Sequence, residues 1–443
     1  MRIRKYAIIA CILAGTLLVN GCAVGDLMRD LLTTNALESV PEDRAVVEEQ
    51  GNDEQTIDEQ EVEELQLEQS EISSSIEMEP PIIVVQESDQ NPEDVYEDNS
   101  DAELQQLKSE QSNKYAYGTL SAADQAVYVE LLAIVRNMAQ DVLITSLDTQ
   151  QIDKAFKCVM IDHPEIFYAD GYSITKHTRG GILERITFSG SYTMDANEKE
   201  KRLTQIEEYA ATCLGGIDMA SSDYEKIKYI YEYLVHHTEY DINAPDNQNI
   251  CSVFINGRSV CQGYAKATQY LLNEMGMFCT LVEGVVKGTE PHVWNMVLVD
   301  GNYYHVDTTW GDASYSITGA EPGSMNVPDI NYDYLFIPDS LLVRTHQIKS
   351  PIPIPACASM DCNYYVREGL YFTSYDEAKL SQIFANAYAN GETMVMLKCS
   401  DATVYQTLLD QLITQQQIFD YLNGSANVSY TKMDNQYSIL FNL

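Results

Sequence analysis

Three residues of the chain have the types and the local settings that thiol acyl transfer needs. Cys261 stands where a stretch with helical apolar spacing begins. A helix N-terminus favours a thiolate, because its amides are unpaired and its dipole is positive there. The same amides can donate hydrogen bonds to an oxyanion, while a histidine moves the proton and an aspartate orients the histidine ring. The candidate catalytic residues are therefore Cys261, His292 and Asp307.

A buried helix is expected to carry Cys261. The residues from Gly263 to Met275 place apolar side chains at helical spacing, and Gly276 supplies a C-terminal stop. The same spacing predicts helices upstream, over residues 120–138, 150–160, 195–213 and 222–237. Between the second and third of these helices, two extended runs over residues 172–176 and 183–192 predict a pair of strands.

A hairpin is expected to hold the histidine and the aspartate. Asp300-Gly301 joins two apolar runs, over residues 292–299 and 302–309, and this dipeptide is the strongest short hairpin signal. In the register of a two-residue loop, Trp294 faces Asp307. His292 then lies on the same side of the sheet, and its Cα is roughly 7–8 Å from that of Asp307. A slip of one residue would put the two side chains on opposite faces.

Each candidate also has a structural interpretation. Cys261 fits a small buried hydrophobic residue, His292 a solvated strand residue, and Asp307 a cap at the end of a strand. His305 is the main rival of His292, because the same register puts it on the same face as Asp307, and geometry leaves both open. Asp312 is a weaker rival of Asp307 and is expected in a turn.

Three segments resemble the motifs of a known family. VCQGYA over residues 260–265, PHVWN over 291–295 and VDTTW over 306–310 are similar to the three motifs of the bacterial transglutaminase-like superfamily, in the same order. The resemblance covers a core of roughly residues 222–312. It implies a papain-like α+β fold, in which a helix with the cysteine packs on an antiparallel sheet with the histidine and the aspartate. It also implies a triad of Cys261, His292 and Asp307, and so favours His292 over His305.

The resemblance implies an enzyme that transfers acyl groups from protein or peptide amides, either transglutaminase-like or cysteine-protease-like. Transamidation, proteolysis and deamidation stay open, because they differ in water exclusion and in the acceptor site. One alternative is a non-catalytic surface lipoprotein that uses this fold for binding. Another is a wall-peptide endopeptidase of a different papain-like branch, in which a second histidine usually replaces the aspartate. No cofactor is expected, and no metal, since no His/Cys cluster has zinc-ligand spacing.

The first 22 residues have the pattern of an export signal. A basic start (Arg2, Arg4 and Lys5) precedes an apolar stretch over residues 7–19. LVNGC, which ends at Cys22, resembles the lipobox of bacterial lipoproteins, and this implies cleavage before Cys22 and its acylation. The expected location is the outer face of the bacterial cell membrane. An ordinary secretory signal with an incidental cysteine is the alternative.

Residues 23–112 are predicted to be a disordered acidic tether. The whole chain has 27 basic and 67 acidic residues and a net charge of −40, and 24 of the acids lie between Glu38 and Glu103 with one base, Arg44. Such a segment buries too little apolar surface to offset its chain entropy. The acidity also argues against a nucleic-acid partner, which requires a basic surface. The expected partners are a protein or peptide substrate, with the cell wall as one candidate source, and the membrane.

Two further domains complete the expected organisation. A catalytic domain with a helical lead-in covers residues 113–345, and a small α+β domain covers residues 356–443 after a stiff proline-rich linker. The small domain is expected to contain strands over residues 364–372 and 393–399, helices over 375–388 and 402–415, and a final hairpin around Asp434-Asn435. Supporting the catalytic domain and binding a surface polymer are equally open as its role. Cys357 and Cys362 are close enough in sequence to pair, and their pairing is also open.

Overall fold

The structure is a computed structural model that describes residues 46–49, 82–87, 101–286, 290–312, 328–424 and 427–443. The predicted signal peptide, with Cys22, and most of the predicted tether lie outside these ranges. No helix within them combines the length and the apolar character that a bilayer span requires. The fold is a mixed α+β fold, as the sequence predicted.

The helical lead-in packs on a four-stranded sheet. Its helices are α1 (Asp101–Glu110), α2 (Tyr115–Thr119), α3 (Ala122–Arg136), α4 (Thr149–Asp162) and α5 (Ala196–Leu214). The strands of this sheet are β2 (Ile82–Glu87), β3 (Val142–Ile144), β4 (Ala169–Arg179) and β5 (Ile182–Tyr192). They lie in the order β2-β4-β5-β3. An earlier strand, β1 (Val46–Glu49), belongs to the C-terminal sheet. The predicted helices and the β4–β5 pair are confirmed here.

A five-stranded sheet carries the site. The elements that precede this sheet along the chain are α6 (Asp223–His237), the short strand β6 (Glu239–Tyr240), α7 (Ile250–Phe254), the short strand β7 (Arg258–Ser259) and α8 (Cys261–Glu274). Its strands are β8 (Cys279–Val286), β9 (Glu290–Val299), β10 (Asn302–Val306), β11 (Leu335–Ile337) and β12 (His346–Ile348), with the turns of helix α9 (Thr308–Gly311) and α10 (Asp339–Leu342) between them. The order is β11-β10-β9-β8-β12. Helix α6 begins with a capping box, in which the side chains of Ser222 and Glu225 each accept the other residue's backbone N–H.

The C-terminal unit has its own hydrophobic core, built from residues after Phe372. Its elements are α11 (Tyr364–Arg367), β13 (Tyr371–Phe372), α12 (Glu377–Asn390), β14 (Met394–Cys399), α13 (Ala402–Leu409), β15 (Asn427–Met433) and β16 (Ser438–Asn442). The sheet order is β1-β15-β16-β14-β13, and β15 and β16 form the predicted hairpin.

Three predictions about this organisation need correction. The predicted disorder of residues 23–112 does not hold for Asp101–Glu110, which is helical because Leu104 and Leu107 pack against the core of the catalytic region. The predicted strand over residues 364–372 is wrong for its first part, which is the helix α11. The predicted stiff linker also needs correction, since Ile352 is buried in the core of the catalytic region and Ile354 packs against it.

Candidate active site

The start of α8 presents Cys261 with unpaired amides beside it. Val260 is extended and provides no side-chain cap, and the first backbone bonds are those donated by Gly263 and Tyr264 to the Val260 carbonyl, at 3.0 and 3.2 Å. The amides of Cys261 and Gln262 precede this ladder and are therefore in position to bind an oxyanion.

Gly263 explains why the helix can start at this point. A Cβ on Gly263 would lie 2.0 Å from the hydroxyl oxygen of Ser259 and 2.5 Å from that of Ser252. These two hydroxyls are themselves 2.6 Å apart and buried. Because no larger residue fits against this pair, glycine allows the first turn that carries Cys261 to approach the preceding chain closely.

The hairpin has the predicted register. Asp300 and Gly301 both have positive φ, +51° and +79°, as a two-residue hairpin turn requires. Asn302 pairs with Val299 and Val306 pairs with Asn295, so the ladder ends one residue before Asp307. The structure thereby brings His292 and Asp307 together, with His292 Nε2 2.7 Å from Asp307 Oδ2.

Asp307 has two roles on two different oxygens. Its Oδ1 accepts the backbone N–H of Trp310 at 3.1 Å and caps the turn of helix α9, while Oδ2 accepts from His292. Asp307 therefore caps the turn of helix α9 and also holds the His292 ring by a hydrogen bond. Burial would raise the pKa of Asp307, but the charge and hydrogen bond of His292, with a further hydrogen bond from His346, hold it well below its usual range.

His292 meets the carboxylate of Asp307, and Cys261 also acts on its ring. Its Nε2 lies 2.7 Å from Asp307 Oδ2. Cys261 is among the groups that raise the pKa of the ring, and Nδ1 is the ring nitrogen that Asp307 leaves open. Burial would lower the pKa of His292, but the charge and hydrogen bond of Asp307, together with Cys261, raise it to about 10. The imidazole is therefore charged at neutral pH and can stabilise a Cys261 thiolate.

Two tryptophans flank the His292 ring. Trp294 is stacked on it with ring centroids 6.0 Å apart, and Trp310 meets it edge-on at 6.2 Å. Both are buried. They restrict the ring to the orientation in which its Nε2 meets Asp307.

The rivals of the triad residues have other partners. His305 accepts the indole N–H of Trp294 at Nδ1, 3.1 Å away, and its Nε2 lies 2.9 Å from Asp339 Oδ1. Both ring nitrogens are thus occupied away from Asp307. Asp312 accepts the hydroxyl of Tyr264 at 2.7 Å and is buried at an isolated β-bridge, so its predicted place in a turn is wrong.

Sequence reasoning missed His346. This residue begins β12, pairs with Val286 and places Nε2 3.1 Å from Asp307 Oδ2, so that two histidines share one carboxylate oxygen. Burial lowers the pKa of His346 to about 4, although Asp307 acts in the opposite direction. The ring is therefore neutral at physiological pH. No spacing pattern marks this histidine in the sequence, because it is 39 residues from its partner.

Two groups of side chains in the described ranges have ligand atoms close enough for a metal ion: His292, Asp307 and His346, and His305, Asp339 and Cys357. Hydrogen bonding accounts for both groups. His305 accepts at Nδ1, so its proton is on Nε2 and points to Asp339, where a metal would need a lone pair. In the first group, both histidines turn a nitrogen to the same Asp307 oxygen. The expectation of no metal stays a prediction.

All eight cysteines of the described ranges are free and buried. Cys357 and Cys362 are among them, so no bond joins this pair in the structure. Burial raises the pKa of the Cys357 thiol to about 12, and Asp339 adds to this shift. Burial raises the pKa of the Cys279 thiol well above its usual range, and this direction is typical of an inert structural thiol.

The family model of the Transglutaminase-like superfamily matches residues 210–308. This segment contains α6, the Cys261 helix and the His292–Asp307 hairpin. Residues 210–308 form a transglutaminase-like domain. The resemblance stated from the sequence is thereby confirmed at the level of the superfamily.

Curated relatives match the transglutaminase-like domain over a short region. The chain is 28% identical over 115 residues to kyphoscoliosis peptidase of Mus musculus, which covers 22% of this chain and 17% of the relative. It is 29% identical over 108 residues to kyphoscoliosis peptidase of Homo sapiens, covering 21% and 16%. The chain thus spans about a sixth of the length of these relatives. A crystal structure of a TGase aligns at 16% identity with a TM-score of 0.23, over 36% of this chain and 47% of that chain.

Proposed function

We propose that the chain is a cell-envelope enzyme that transfers acyl groups from protein or peptide amides through Cys261, His292 and Asp307. The observation that carries this proposal is the position of His292, whose Nε2 lies 2.7 Å from Asp307 Oδ2. Cys261 acts on the same ring and helps to raise its pKa. The superfamily match supports a transglutaminase-like or cysteine-protease-like activity for the same segment.

The proposed reaction has two halves. The Cys261 thiolate attacks the amide carbonyl carbon, and the resulting oxyanion accepts from the amides of Cys261 and Gln262. When the C–N bond breaks, the His292 imidazolium gives its proton to the leaving amine, and a thioester remains. An amine or water then loses a proton to the neutral His292 and attacks the thioester, and the thiolate is released. An amine acceptor gives transamidation, and water gives proteolysis or deamidation.

The decisive assay offers the full chain a glutaminyl donor, a labelled amine and a casein-type protein. Amine incorporation would identify a crosslinking enzyme, new peptide termini a peptidase, and ammonia release without either a deamidase. Cys261→Ala is expected to abolish the reaction. Cys213→Ala is the matched control, because Cys213 is an equally buried cysteine on α5, outside the site. Equal loss in both variants, or no reaction of the wild type with any substrate, would contradict the proposal.

A non-catalytic binding role is the second candidate. The observation that favours it is burial, since Cys261 and His292 are each only 4% exposed. The rate of Cys261 alkylation against pH separates the two candidates. A thiolate held by His292 reacts well below pH 8, whereas a thiol that reacts only near the ordinary value of about 8.5 favours binding.

We further propose that a lipid on Cys22 anchors the chain to the outer face of the membrane. The support is the LVNGC segment after the apolar run. Cys22→Ser is expected to release the protein from the membrane fraction into the medium and to abolish labelling by radioactive palmitate. Each buried methylene of an acyl chain contributes about 0.8 kcal/mol to anchoring, so loss of the chains should be decisive. A variant that keeps both its label and its membrane association would refute lipidation at this residue.

A further inference from the structure

A buried row of polar side chains connects the C-terminal unit with Asp307. His346 Nε2 lies 3.1 Å from Asp307 Oδ2, and its Nδ1 lies 2.7 Å from the hydroxyl of Thr345. The Tyr334 hydroxyl donates to Thr345 Oγ1 at 3.5 Å. Gln436, from the turn between β15 and β16, donates its amide N–H to the Tyr334 oxygen at 3.1 Å. All five side chains are buried.

The row ends at a buried charge in the C-terminal sheet. Lys398 on β14 lies 3.4 Å from Gln436 Oε1 and 2.6 Å from Asp333 Oδ1. Its side chain is 3% exposed and that of Asp333 is fully buried. The ammonium group can only donate, so it fixes the orientation of the Gln436 amide.

Every donor in the row then points toward the active site. Since Gln436 donates to Tyr334 and Tyr334 donates to Thr345, the hydroxyl proton of Thr345 is left for His346 Nδ1. The neutral His346 ring therefore has its proton on Nε2, where it faces Asp307. Hydrogen bonds aligned in this way polarise one another, so the row as a whole favours a negative charge on Asp307.

We propose that this row, from Lys398 and Gln436 through Tyr334 and Thr345 to His346, positions Asp307 for catalysis. The C-terminal unit would then contribute to catalysis through the hydrogen bonds that begin at Lys398 and Gln436. The inference rests on the proposed function, because it takes Asp307 as the orienting carboxylate. Its members are positioning residues, since they act on Asp307 and through it on His292.

The other groups around Asp307 do not replace the row. His292 of β9 is the second donor to Oδ2, and Tyr231 of α6 and Tyr334 are near enough to feel the charge. Burial raises the pKa of both tyrosines well above 10, so neither titrates in the working range. The charged or titratable groups that act on His346 are Asp307, His292 and His305. The Trp310 N–H is a neutral donor to Oδ1, and the row supplies a neutral donor to Oδ2, the oxygen that His292 shares.

The first test follows the alkylation of Cys261 by iodoacetamide against pH in the full chain, located by mass spectrometry. In His346→Leu, Asp307 loses a donor and takes up a proton at higher pH, so His292 loses its counterion earlier. The acid limb of the alkylation rate should move up by about one pH unit, which corresponds to about 1.4 kcal/mol. His346→Gln keeps an N–H of similar reach, so its acid limb should lie close to the pH at which the wild type has it.

His305→Leu is the matched control for His346. It removes an equally buried histidine next to Trp294, but its partners are Asp339 and Trp294 and it lies outside the row. The acid limb of this variant should stay where the wild type has it. Equal shifts in His305→Leu and His346→Leu would mean a general effect of core damage and would overturn the inference.

The second test addresses the C-terminal unit. Gln436→Met keeps the side-chain length without the amide, and should move the acid limb in the same direction by a smaller amount and lower kcat more than it changes KM. Asn442→Leu is the control, because its amide lies on β16 and bonds Ser429 instead of the row. Variants that melt like the wild type but leave both the limb and kcat unchanged would overturn the inference. The alkylation readout needs no amide substrate, so it separates this failure from a failure of the proposed function.

Discussion

Asp307→Asn is expected to lower kcat by about 10⁴-fold while the protein stays folded. The asparagine Oδ1 can still accept the N–H of Trp310 and cap α9, so the structural role of this residue is preserved. On the other side, an amide N–H would replace the carboxylate oxygen that faces His292 Nε2. The ring must then accept there and carry its proton on Nδ1, toward Cys261, which is the wrong tautomer for a base.

The measurement compares Asp307→Asn with Asp307→Ala. Both variants should lose activity, but the alanine variant also loses the cap and should melt at a lower temperature, since such a cap contributes about 1 kcal/mol. The pH profile gives a second readout. The His292 pKa of about 10 depends on the Asp307 charge, so the imidazolium of the asparagine variant should lose its proton at lower pH. Activity within tenfold of the wild type would show that Asp307 serves only as a cap.

The parts of the site that the sequence predicts are set by neighbours along the chain. The two-residue turn at Asp300-Gly301 fixes the register of its own hairpin, and the register fixes the distance between His292 and Asp307. A periodic apolar pattern ended by Gly276 likewise determines where the helix of Cys261 begins and ends. The register alone could not choose between His292 and His305, because it gives the face of the strand and not the hydrogen-bond partner of each side chain. In the fold, His305 hydrogen-bonds Trp294 and Asp339.

The parts that were missed depend on contacts between distant segments. His346 reaches Asp307 across 39 residues, and Lys398 reaches Asp333 across 65. Neither pair leaves a periodic signal, since each side chain alone fits an ordinary strand or turn. The helix α1 was missed for a related reason. Its acidic composition favours disorder, but Leu104 and Leu107 find an apolar surface that only the folded core provides.

The contact between Lys398 and Asp333 predicts a large effect on stability. Lys398→Met is expected to lower the free energy of unfolding by about 3–5 kcal/mol, because it leaves the buried carboxylate of Asp333 without its partner. The ion pair is 2.6 Å long and almost fully buried, and it joins β14 of the C-terminal sheet to the segment just before β11. Burial lowers the pKa of Lys398 and Asp333 opposes this shift, so Asp333→Asn should favour the neutral amine and also destabilise the fold.

A double variant tests whether the loss comes from the unpaired charge or from the missing contact. Lys398→Met with Asp333→Leu removes both charges, and should recover most of the stability, because a buried pair replaced by apolar residues is often neutral. Lys157→Met is the control, since Lys157 forms an exposed i,i+4 pair with Asp153 and should change stability by less than about 1 kcal/mol. Urea unfolding followed by tryptophan fluorescence reports the catalytic region, where both tryptophans lie. If Lys398→Met lowers that transition no more than Lys157→Met does, the ion pair does not couple the C-terminal sheet to the site.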